Sequence, residues 1–163
     1  MIGDRKGINR KNKQRSRTME QEVARLVGGN RVPMSGAGKI KGDVFAPFDE
    51  YRSYYIECKL TQHETLSLPV AVFSKALEEC KEMRLLFPVF VFKFVNQRKV
   101  PLYSFVHEQA QKFIDIPEVF EPLELKTFKF TGNLFNHPKW YKMLSGCWYL
   151  EPFSCFLDRI PKP

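Results

Sequence analysis

Ser35-Gly-Ala-Gly-Lys-Ile-Lys-Gly-Asp43 and Tyr55-Ile-Glu57-Cys-Lys59, whose glutamate lies fourteen residues past that aspartate, are the stretches that decide how this chain is read. Residues 43–48 and 53–60 are rich in aromatic and β-branched side chains and flank the polar group Asp49-Glu50-Tyr51-Arg52, which predicts two antiparallel strands joined by a turn. On the second strand Glu57 and Lys59 are two apart and share a face, while Cys58 points to the other. The hairpin brings Asp43 beside Glu57. Two carboxylates at close range repel unless a cation sits between them, and oxygen-only ligation suits a hard ion such as Mg²⁺. A plainer account also fits these residues: an edge-strand ion pair, with Asp43 capping a turn.

Working outward, Thr18-Met-Glu-Gln21 has the form of a capping box, and Met19, Val23, Leu26 and Val27 follow at helical spacing up to Gly28-Gly29. Residues 31–38 form a short extended and turning stretch, and residues 61–69 are loop-like. From residue 70 to about 85 apolar groups recur at Val72, Phe73, Ala76, Leu77 and Cys80 with charges between them, an amphipathic helix. Residues 87–95 are nearly all apolar and of strand length, which predicts a central strand buried on both faces. Residues 96–99 turn the chain into a strand at 100–106, and 107–113 form a short helix. The fold class is therefore mixed α/β (α+β), with an αβββαβ core order and a small mixed sheet flanked by helices.

The chain has 163 residues, 44% hydrophobic and 27% charged, enough for one independent core. Its formal net charge is +8, but residues 1–17 hold seven basic groups against Asp4 alone, so the remainder is nearly balanced. Three segments result: a basic flexible arm at 1–17, a core at 18–117, and an aromatic-rich extension at 118–163. That extension carries both tryptophans and ten of the 23 aromatics, and is expected to pack on the core or across a partner subunit. The arm reads either as a solvated tail or as a polyanion-binding element, with nucleic acid favoured over membrane lipid because no amphipathic stripe accompanies it. Apolar runs at 85–92 and 70–73 fall far short of the roughly 20 residues a membrane helix needs. No secretory h-region opens the sequence, and a cytoplasmic protein is expected, in the host cytoplasm if phage-encoded. Cys58, Cys80, Cys147 and Cys155 show no metal-site spacing and are expected to be reduced and mostly buried.

Four elements in order carry a resemblance to a known family: Met19-Glu20-Gln-Glu22-Val-Ala, Arg31-Val-Pro-Met-Ser35-Gly36, Lys41-Gly-Asp43-Val and Ile56-Glu57-Cys-Lys59. Together they resemble the PD-(D/E)XK nuclease superfamily, and within it the archaeal and phage Holliday-junction-resolvase-like branch, over about residues 15–106. Gly42 departs from the proline that the superfamily name implies, a proline the branch often lacks. The resemblance implies a restriction-endonuclease-like core. Asp43 and Glu57 would ligate Mg²⁺ or Mn²⁺ with the main-chain carbonyl of Cys58, and Glu20 would be an outer ligand or water anchor, Glu22 facing solvent. Lys59 would orient or help deprotonate the attacking water and offset phosphate charge. Ser35 would touch substrate phosphate, or simply form a turn; Lys39 and Lys41 read as backbone contacts or as solvated lysines. Arg31 joins the DNA-binding set, with Arg10, Lys11, Lys13, Arg15 and Arg17 on the arm.

The expected function is a Mg²⁺-dependent endodeoxyribonuclease, most specifically a homodimeric resolvase of Holliday junctions or other branched DNA. A less selective phage DNA-processing or nicking enzyme of the same fold is the nearer alternative. A noncatalytic DNA-binding module is the alternative from another class.

Overall fold

The computed structural model describes residues 5–32, 42–84, 86–95, 102–110, 121–122, 126–132 and 138–160. Among these residues an eight-stranded sheet organises the fold. Its first strands are β1 (Asn30–Arg31), β2 (Val44–Pro47) and β3 (Ser53–Thr61), followed across the crossover by β5 (Leu86–Phe94) and β6 (Tyr103–His107). Its last are β7 (Glu121–Pro122), β9 (Lys139–Met143) and β10 (Gly146–Pro152), while β4 (Thr65–Pro69) and β8 (Thr127–Thr131) make a separate two-stranded sheet. Across the large sheet the strands lie in the order β1-β2-β3-β5-β6-β10-β9-β7. β3 and β5 are parallel, as are β7 and β9; the other neighbours in the large sheet are antiparallel. The sheet is mixed, as expected. The parallel β3–β5 pair is joined by β4 and helix α2 (Ala71–Met83), because parallel neighbours need a long crossover.

Side-chain parity divides the core. On β5, Val89 and Val91 face helix α1 (Arg5–Val27), packing with Met19, Val23 and Ile56, and with Phe153 and Phe156 of helix α3 (Phe153–Arg159). Phe90 and Phe92 face the other way, toward α2 and the small sheet. There Phe73 sits among the rings of Phe90, Phe105, Trp148 and Phe128 at centroid distances of 4.8–5.7 Å. Val89 through Phe92 are fully buried, so β5 is the central strand its composition predicted.

Three expectations are corrected. Residues 5–17 are not an irregular arm: α1 starts at Arg5 and runs unbroken through Thr18, whose hydroxyl donates to the Gln14 carbonyl at 2.9 Å instead of capping an N-terminus. Arg, Lys and Gln are good helix formers, and extending a helix whose other end is packed avoids the cost of nucleation. The loop at 61–69 holds β4, because Leu66 and Leu68 find Phe130 and Phe128 across the β4–β8 pair. Of the short helix expected at 107–113, one 3-10 turn at Glu108–Ala110 is described; residues 111–113 and the turn at 96–99 lie outside the described residues.

The extension does more than pack on a finished core. β10 pairs with β6 through five residues, Trp148 is fully buried, and buried Glu151 accepts from Arg159 at 2.8 Å. All four cysteines are free, with Cys80 and Cys147 buried and the other two half-buried. No helix among the described residues is long and apolar enough to cross a membrane.

Candidate active site

β2 and β3 pair with Val44 opposite Ile56, and the Asp43 N–H donates to the Ile56 carbonyl at 2.9 Å. One step further along this register sets Asp43 opposite Glu57. The Asp43 carboxylate then turns to the backbone of β3, where its Oδ2 accepts from the Cys58 N–H at 2.7 Å. Burial is the main cause that pushes the Asp43 carboxyl from 3.8 up to about 6; the Cys58 N–H works against it, and the charges of Glu57 and Glu20 push further in the same direction. Lys59 offsets part of this. Asp43 therefore stands within electrostatic reach of both other candidate acids and of the lysine.

Tyr55, Glu57 and Lys59 alternate onto the α2 side of β3, beside Pro88, Phe90 and Phe92 of β5. Lys59 Nζ stands 3.3 Å from Glu57 Oε2, and Tyr55 Oη donates toward Glu57 Oε1 at 3.0 Å. The pair is about a quarter to a third exposed, at the rim of the aromatic floor. Glu20 and Arg31 lie on the α1 side, where Arg31 Nε meets Glu20 Oε2 at 2.5 Å. Arg31 faces that way because it pairs with Val44, which shares its face with Ile56. Glu22, expected in solvent, instead reaches Lys93 of β5 at 2.7 Å. Desolvation first, then the charges of Asp43, Glu20 and Glu57, push the half-buried Cys58 thiol well above its ordinary pKa.

Arg10, Lys11, Lys13, Arg15 and Arg17 are exposed along the N-terminal half of α1. At 100° per residue they fall on two flanks. Arg10, Lys13 and Arg17 continue the row of Glu20, and Lys11 and Arg15 continue that of Glu22. This half of the helix is held near the end of β3, where Gln62 Nε2 donates to Asn12 Oδ1 at 2.9 Å. Ser35, Lys39 and Lys41 lie outside the described residues. Two polar groups of the site escaped the sequence reading. Tyr55 shares the i, i+2 parity of Glu57 and could have been found from it; Glu79, on α2, needed the tertiary packing. A hollow of about 470 Å³ at the opposite end of β3, lined by Arg52, Cys80, Lys81, Arg84 and Phe87 among others, includes none of the candidate residues.

Among the described residues no three His, Cys, Asp or Glu side chains stand close enough to cage an ion. The donor chemistry nevertheless suits a hard cation that keeps most of its water. Asp43 and Glu57 offer carboxylate oxygens from the residue leading into β2 and from β3, and the charges of Glu57 and Glu20 add to the burial that raises the Asp43 carboxyl.

No family model matches the chain, and no curated protein matches it. Among solved structures it is similar to Hjc, a Holliday junction resolvase from the archaeal hyperthermophile Archaeoglobus fulgidus, with 14% identity and a TM-score of 0.48. The match covers 73% of this chain and 85% of that one.

Proposed function

We propose that the protein is a divalent-metal-dependent endodeoxyribonuclease, and most specifically a homodimeric resolvase of branched DNA. The observation that carries this reading is the Asp43 carboxyl, raised to about 6 beside Glu57 and Glu20 with Lys59 on the same strand as Glu57. A purely structural site has no reason to keep a buried carboxyl that resists ionising within electrostatic reach of two further acids, since like charges in a half-buried setting cost stability. The motif order around these residues supports the same reading.

In this mechanism Asp43, Glu57 and the Cys58 carbonyl would hold Mg²⁺ or Mn²⁺, and Glu20 would anchor an outer water. The ion, when bound, supplies Lewis acidity toward the phosphate oxygens and a more acidic water. Lys59 exchanges its contact with Glu57 for the incoming phosphate or water and places positive charge where the pentacovalent phosphorus gathers negative charge. The Cys58 N–H keeps the Asp43 carboxylate fixed on β3 meanwhile. Arg10, Lys13 and Arg17 take phosphates further along the duplex.

A second reading, a noncatalytic DNA-binding module, is favoured by the closed Glu57–Lys59 pair at 3.3 Å. One experiment separates the two and fixes the substrate class. A four-way junction, a fork, a linear duplex and a single strand are offered at equal concentration with Mg²⁺ or Mn²⁺. Paired symmetric nicks on the junction are expected. Equal cutting of all four would indicate the less selective enzyme, and binding without cutting under either metal would overturn the nuclease.

A further inference from the structure

Tyr55 stands where two sets of contacts meet. Its side chain is buried on the α2 side of β3. Its hydroxyl lies 2.6 Å from Glu79 Oε2 and 3.0 Å from Glu57 Oε1. The other oxygen of each carboxylate faces a lysine: Lys59 Nζ stands 3.3 Å from Glu57 Oε2, and Lys75 Nζ stands 4.0 Å from Glu79 Oε1. A lysine–carboxylate–hydroxyl–carboxylate–lysine chain thus runs from α2 to β3. A phenol has one hydrogen to give, so the two carboxylates compete for it. The hydrogen bond holds Glu57 Oε1 in place to the extent that Glu79 does not take the hydrogen.

One edge of the same ring, Cδ2, Cε2 and Cζ, lies against the backbone before Asp43. A Cβ added to Gly42 would stand 2.8 Å from Tyr55 Cε2, and Gly42 has a φ of +96°. Proline, with φ fixed near −65°, is excluded by both the conformation and the ring. The glycine in the place of the family's proline is therefore matched to Tyr55.

We propose that Tyr55 is a positioning residue for the candidate site, with Glu79 on α2 as the acceptor that competes for its hydroxyl. Its ring sets the approach of the chain at Gly42 and Asp43, and its hydroxyl sets the orientation of Glu57. This rests on the nuclease reading above. A carboxylate already held in one orientation loses less freedom on binding an ion, and removing such a supporting hydrogen bond costs about 10- to 100-fold in metal affinity or activity.

The test compares wild type with Tyr55→Phe, Glu79→Gln and Glu79→Ala in three measurements. These are calorimetric Mn²⁺ binding to the DNA-free protein, the Mn²⁺ concentration giving half-maximal cleavage, and KM for DNA. Tyr55→Phe keeps the ring, and is expected to weaken Mn²⁺ binding and raise the half-maximal concentration about tenfold with KM unchanged. Excess Mn²⁺ should restore part of its rate. Glu79→Ala, which leaves the phenol hydrogen to Glu57 alone, should keep Mn²⁺ binding at or above the wild-type level, and Glu79→Gln, a weaker acceptor, should fall between it and wild type. Unaltered Mn²⁺ binding and metal dependence in Tyr55→Phe, or a loss of Mn²⁺ binding in Glu79→Ala like that expected of Tyr55→Phe, would overturn the proposal while leaving the nuclease standing. A wild-type protein that neither binds Mn²⁺ nor cuts DNA would overturn the nuclease reading, and this inference with it.

Discussion

The Cys58 N–H and the Asp43 carboxylate are joined across 2.7 Å, so the residue leading into β2 is pinned by its side chain to the strand that carries Glu57 and Lys59. The bond holds an acid in place that its surroundings resist ionising. Asp43→Asn keeps an oxygen able to accept from Cys58 but removes the charge. Cleavage should be lost while DNA binding is kept within a few-fold; Lys59→Ala should do the same. Gel shifts without metal and cleavage with Mn²⁺ check this, and undiminished cutting by either variant would remove that residue from the site.

The same substitution should stabilise the metal-free protein at neutral pH. Asp43 has its ordinary pKa of 3.8 when unfolded and about 6 when folded. Between those values the native state binds the extra proton, so stability falls as pH rises through this window and the full cost is present above it. Asn escapes the cost. Asp43→Asn is expected to exceed wild type by on the order of 1–3 kcal/mol at pH 7.5, and the difference should shrink toward zero near pH 4. Urea unfolding in EDTA at the two pH values measures it.

Cleavage should follow the opposite trend, because the ionised carboxylate is the form that can hold a cation. Activity at limiting Mg²⁺ is expected to rise through about pH 6. A rate that stays level from pH 5 to 7.5 would separate Asp43 from the chemistry.

The two flanks of α1 should differ in their effect on binding. Replacing Arg10, Lys13 and Arg17 together by alanine should reduce the slope of log affinity against log salt by roughly 0.9 for each phosphate no longer neutralised. Replacing Lys11 and Arg15 should change it less. Equal slopes for the two variants would place the DNA elsewhere.

The C-terminal strands should be indispensable for folding. A chain ending at residue 117 would leave β6 as an edge and strip Trp148 and Phe128 from around Phe73. It is expected to lack a cooperative thermal transition. Within the full chain, Phe73→Ala should cost about 3–5 kcal/mol.

What could be read in the sequence was whatever depends on short-range periodicity. The buried run of β5, the amphipathic α2 and the Asp43–Glu57 hairpin each announce themselves within some fifteen residues. The first half of α1 did not, because a polar helix has no apolar stripe to betray it. Nor did β4, whose partner β8 lies some sixty residues on. The pairing of Arg31 with Glu20 depends on β1 facing α1, which follows only from the sheet register. Glu79 belongs to the same class: on a helix read as an amphipathic wheel it is one more surface acid.

Every residue of β3 has a partner on β5, from Ser53 opposite Leu86 to Thr61 opposite Phe94. A growing chain therefore exposes the strand bearing Glu57 and Lys59 well before the segment that clamps it has emerged from the ribosome. On the proposed reading, the Glu57–Lys59 couple reaches its final geometry only after β5 has been made.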